Sequence, residues 1–144
     1  MKVIFLDIDG VMNNSETAPK LLQQGFDPVP LRCLLEILAA TDAKIVVSGA
    51  LGRVFEFEDL QLFFDCHGIP KDRVIGATRN TGTTRGGDIS AWLAEHPGHA
   101  ERYLVIDDAD LDQIRPHGPR FLKTEWHIGL TPAHVRRAIR MLNA

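Results

Sequence analysis

The stretch Lys2-Val3-Ile4-Phe5-Leu6-Asp7-Ile8-Asp9-Gly10-Val11 sets four apolar residues directly before two carboxylates and a glycine. A continuous apolar run of this length, ended by a polar turn, fits a strand buried on both faces, as in a parallel sheet. The same form recurs along the chain. Lys44–Val47 ends at Ser48-Gly49, and Tyr103–Ile106 runs into Asp107-Asp108. Arg73–Gly76 reads as a short third strand and Phe121–Lys123 as a fifth. Between them lie segments with helical spacing. Leu31–Ala40 carries Leu31, Leu34, Leu35 and Leu38, and Glu56–His67 carries Leu60, Phe63 and Phe64. Ile89–Glu95 follows Asp88 as a cap, and a last helix opens at Thr131-Pro132 and runs to about Leu142. Residues 13–29 read as a long loop. Alternating strands and helices predict an α/β fold, a parallel sheet with helices on both faces. Ligands of such folds collect at the carboxyl ends of the strands, where the polar residues fall.

Length and composition agree. A chain of 144 residues suits one domain over 1–144, with a core sufficient without staples. A hydrophobic share of 44% and a charged share of 24% exclude bulk disorder. The apolar runs are too short to span a bilayer, and the N-terminus lacks the form of a signal peptide. Cys33 and Cys66 are too few for a disulfide framework or a four-Cys zinc site and read as two buried thiols, so a cytoplasmic setting is expected. A net charge of −3 argues, weakly, against a generic nucleic-acid coat. Arg136, Arg137 and Arg140 fall outside the apolar stripe of the last helix and read as a solvated face. Trp126 reads as a packing anchor, with base stacking the alternative.

The strand ends suggest a chemistry. Asp7, Asp9, Asp107 and Asp108 would converge there, and unscreened carboxylates repel one another. A hard divalent cation removes the conflict, and Mg2+ commonly takes one or two carboxylates, waters and a substrate phosphate. The Ser48 hydroxyl can donate to phosphoryl oxygens, and Arg85 supplies charge and planar donors.

These residues resemble the motifs of the haloacid dehalogenase (HAD) superfamily. Lys2–Val11 resembles its DxDGV motif, and Lys44–Ser48 its second motif, an apolar run ending in Ser or Thr. Arg85-Gly86-Gly87-Asp88-Ile89 stands where the third motif's Lys or Arg belongs, and Leu104–Asp108 resembles the acidic fourth motif. VIGAT, GGDISAWLAEHP and ERYLVIDD resemble more narrowly the HAD domains of Swiss Army Knife RNA repair proteins. The resemblance implies a Rossmannoid three-layer α/β/α fold, capless or with a minimal cap. It implies a magnesium-dependent phosphatase that hydrolyses a phosphomonoester through an aspartyl-phosphate. Asp7 is then the nucleophile, Asp9 the general acid/base, and Ser48 and Arg85 the partners of the phosphoryl group. Asp7 and Asp107 are the expected side-chain metal ligands, Asp9 contributes its main-chain carbonyl, and Asp108 acts through water or orients Arg85. Gly10, Asn13, Gly49 and Arg53 are expected to contact substrate.

Two departures stand out: Arg85 replaces the usual Lys, and the Trp usual after the second motif is absent beside Ser48. The expected partner is a phosphorylated small molecule or a nucleic-acid end, with no membrane. A catalytically silent module binding a phosphorylated partner is the alternative. A phosphoacceptor receiver domain is disfavoured, because the third strand ends in Gly76-Ala77-Thr78 without an acid.

Overall fold

The computed structural model describes residues 1–144. Its strands are β1 (Lys2–Leu6), β2 (Lys44–Val47), β3 (Val74–Ala77), β4 (Arg102–Asp107) and β5 (Phe121–Lys123). The helices are α1 (Leu21–Gln24), α2 (Pro28–Thr41), α3 (Leu51–Val54), α4 (Phe57–Asp65), α5 (Arg85–Glu95), α6 (Leu111–Ile114) and α7 (Pro132–Asn143). All five strands are parallel, in the order β3-β2-β1-β4-β5. The result is a three-layer α/β arrangement with β1 at its centre.

The central strands are apolar throughout because both faces are covered. Val3, Ile4, Phe5 and Leu6 have no exposed surface. Alternate residues serve opposite layers. Ile4, Leu6, Ile45, Val47, Leu104 and Ile106 join α2, α4 and α7 in a cluster of 25 buried residues. Val3, Phe5, Val46 and Val105 face Ile89 and Trp92 of α5 and Ile114 of α6 in a cluster of seven, so one layer is much thinner. Trp92 packs edge-on to Phe5 at 5.5 Å.

The structure adds short helices where the sequence reads as loop. Within residues 13–29, a 3-10 turn at Ala18–Lys20 leads into α1, and Leu21 and Phe26 are buried. Phe26 meets Phe63 and Phe64 edge-on, both at 5.2 Å. Helices of four residues carry no readable period and depend on such packing. The start of α5 also differs from expectation. Asp88 does not cap it: Thr84 is the cap, accepting from the Gly87 N–H at 3.1 Å. The helix therefore begins four residues earlier than the apolar spacing suggests, with Arg85 as its first residue. Its glycines allow a close crossing. A Cβ on Gly86 would run into the main-chain carbonyls of Ile114 and Arg115.

Cys33 is buried as expected, whereas Cys66 is exposed at the end of α4, where nothing covers it. In α7, Val135, Ala138 and Leu142 are buried and the three arginines face solvent. No helix is long and apolar enough to cross a membrane.

Candidate active site

Register assembles the site. Leu6 pairs with Val47 on one side and Ile106 on the other. The next residues therefore lie level, and the main chain ties them: Asp7 N–H donates to Ile106 O at 3.0 Å and Ser48 N–H to Leu6 O at 2.8 Å. The outer strands extend the row, with Thr78 N–H donating to Val47 O and Thr124 N–H to Asp107 O, both at 2.9 Å. Thr78, Ser48, Asp7, Asp107 and Thr124 thus form one line along the carboxyl edge, and all five are buried. Thr78 and Thr124 go beyond the sequence reading, although each directly follows its strand.

Three of the four expected carboxylates converge. Oxygens of Asp7, Asp107 and Asp108 lie within 4.8 Å of one another. Arg85 reaches into the group from the start of α5, 3.4 Å from Asp7 and hydrogen-bonded to Asp107. The orienting partner of Arg85 is therefore Asp107, not Asp108. Asp107 also accepts from the Ala109 N–H at 2.9 Å. Asp7 carries the electrostatic cost. Burial, then the neighbouring Asp107, pushes its carboxyl from 3.8 up to about 9, against the pull of Arg85. Burial also raises Asp108.

The donor set fits a hard cation: three clustered carboxylates with one arginine between them leave excess negative charge. The Ser48 hydroxyl beside them is buried without a protein partner, as is that of Thr78. A buried orphan hydroxyl at such a place calls for a ligand oxygen.

Asp9 stands apart from the cluster. It is exposed and accepts from the Asn13 amide at 3.1 Å. Two residues expected at the substrate have partners within the protein. Asn13 is fully buried, and while its nitrogen holds Asp9, its oxygen accepts from the Gly10 N–H at 2.9 Å. The Gly10 carbonyl is in turn taken by the Thr124 hydroxyl at 2.7 Å. Both main-chain polar groups of Gly10 are thus engaged inside the protein, so Asn13 and Gly10 shape the loop. Gly10 is required sterically: at φ +84° a Cβ there would strike Asp108 and lie 2.8 Å from the Trp126 ring. Trp126 packs one edge here yet stays 46% exposed.

Gly49, at φ +90°, sits where a Cβ would lie 2.8 Å from Asp7 Oδ1 and 3.4 Å from the Arg85 guanidinium carbon. Arg53 shares with Arg85 a polar cavity of about 250 Å³, also lined by Asn80, Thr83, Thr84 and Gln113. Its guanidinium is already paired with buried Asp88 at 3.0 Å. Arg79 lies away from the carboxylates and pairs with Glu95 at 2.7 Å.

Gly86→Ala is expected to lower stability by about 1–3 kcal/mol, because the new methyl meets main chain rather than a yielding side chain. It should also displace Arg85 from Asp107. Urea unfolding measures the first effect, and unchanged stability would show that the crossing is loose.

A family model described as the HAD domain in Swiss Army Knife RNA repair proteins matches residues 3–135. No curated protein and no solved structure matches the chain. The match takes in all four motifs, three at strand ends and that of Arg85 at the start of α5, and the chain belongs to this family of HAD domains.

Proposed function

We propose that the protein is a magnesium-dependent phosphatase that hydrolyses a phosphomonoester through an aspartyl-phosphate on Asp7. The observation that carries this reading is the juxtaposition, on one sheet edge, of three carboxylates, a bridging arginine and a buried unpartnered serine hydroxyl. Asp7, Asp107 and Asp108 are the side chains that would hold the ion, with the Asp9 carbonyl beside them. A divalent ion held there would supply positive charge that favours the ionised form of Asp7 and offsets charge on the phosphoryl group.

A carboxylate oxygen of Asp7 attacks phosphorus while the bond to the leaving oxygen breaks, and Asp9 gives that oxygen a proton. Asp9 then takes a proton from water as the water attacks the aspartyl-phosphate, releasing inorganic phosphate and restoring Asp7. Asn13 holds the Asp9 carboxylate for both transfers. Ser48 donates to the moving phosphoryl group, and Arg85 balances its charge. Arg85 stays protonated throughout, since it is charge and not proton transfer that this position needs. The family match makes nucleic-acid ends and nucleotides candidate substrates. Phosphate release from a panel of phosphomonoesters, with and without magnesium, tests the reading. Chelation is expected to lower turnover by at least about a hundredfold. Turnover indifferent to chelation, or absent across the panel, would overturn it.

A further inference from the structure

The two sides of the site differ in polarity. On the Arg85 side the cavity is lined by polar groups. On the Asp9 side lies a separate cavity of about 280 Å³. One wall comes from the segment after β1, through Ala18, Pro19 and Leu22; the other from α3 and its flank, through Leu51, Val54 and Phe55. Asp9 is the only charged group lining it. At its mouth Leu22 is 68% and Val54 74% exposed, and together with the apolar lining they make one contiguous apolar patch.

We infer that this cavity receives the leaving group of the substrate, and that the part of the leaving alcohol seated there is apolar or aromatic and uncharged. The inference rests on the phosphatase reading in one respect: the group that protonates the leaving oxygen must lie beside it, so the organic part of the ester occupies the space on the Asp9 side. A polyol or a second phosphate entering there would give up water without gaining partners, whereas an apolar body gains by burial. Pro19 and Leu22 belong to the segment that read as a loop, so that segment forms a wall of the pocket.

Two esters of primary alcohols isolate this effect: 2-phenylethyl phosphate and glycerol 1-phosphate. With the magnesium-loaded protein, kcat/KM for the first is expected to exceed that for the second by about tenfold or more. In the Leu22→Ser, Val54→Ser double variant that ratio should fall by about tenfold, and both positions are exposed enough for the fold to survive. A wild-type ratio near one, or a ratio unmoved by the double substitution, would overturn the inference. Absence of turnover with both esters bears on the catalytic reading and leaves the pocket open. The pocket is then decided by calorimetric binding of the two corresponding phosphonates. Tighter binding of the phenylethyl compound, lost in the double variant, sustains the inference, and equal binding ends it.

Discussion

Asp7→Asn is expected to reduce phosphate release by at least about 10⁴-fold while making the metal-free protein more stable. On the proposed mechanism the first effect follows from losing the nucleophile, since an amide cannot form the aspartyl-phosphate. The second follows from the position of Asp7 in the row. Its carboxyl is raised to about 9 by burial and by Asp107, against 3.8 in the unfolded chain. Between these values the native state keeps a proton that the unfolded chain has released. Stability then falls as pH rises, by up to about 1.4 kcal/mol per pH unit. Below about pH 4 both states are protonated and the penalty disappears. Asparagine has no proton to lose, so the gap between variant and wild type opens above pH 4. It should reach the order of a few kcal/mol near neutrality. Magnesium should narrow the gap by stabilising the wild type. Urea unfolding in chelator from pH 4 to 9 measures this, and a variant less stable than wild type at pH 7 would contradict the electrostatic account.

Arg85→Met should act in the opposite direction. Arg85 is the one cation placed between Asp7 and Asp107. Its loss leaves Asp107, which has no exposed surface, with the Ala109 N–H as its remaining side-chain partner. Removing one partner of such a buried pair costs about 3–5 kcal/mol. Added magnesium should recover much of that stability but not turnover, because the transferring phosphoryl group still lacks its fixed donor. A loss of about 10²–10³-fold in kcat is expected. Unfolding and phosphate release, each measured with and without magnesium, separate the two roles. Unchanged stability in chelator would mean that Arg85 does not offset the acidic pair.

Much of this arrangement was legible before any coordinates. The strand-end positions of Asp7, Ser48 and Asp107 follow from apolar runs and a parallel register, and these the sequence carries openly. Arg85 lies inside α5, whereas the apolar spacing starts the helix only after Asp88. The Gly-Gly pair after it is a poor helix starter, and only the crossing over α6 explains why glycine is needed inside the first turn. Asp9 was grouped with the other acids because adjacency in sequence does not reveal that the chain turns away after Ile8. The hydrogen bonds of Gly10, to Asn13 within the loop and to Thr124 after β5, are likewise reported by no periodicity. Thr78 and Thr124 could have been found by the rule that located Ser48, applied to the two edge strands. The pocket beside Asp9 was unreadable, since it needs α1 and α3, whose four residues each leave no pattern.

The unequal layers give the site an uneven mechanical footing. Its anions and its serine hang from the central strands, beneath the thicker layer of 25 buried residues. Its cation hangs from α5, in the layer of seven. Sub-global opening begins where least apolar surface is buried. When that thin layer lifts, the positive charge leaves and the carboxylates stay. Such an opened molecule would repel an anion, and an anion held beside Arg85 would favour the closed form.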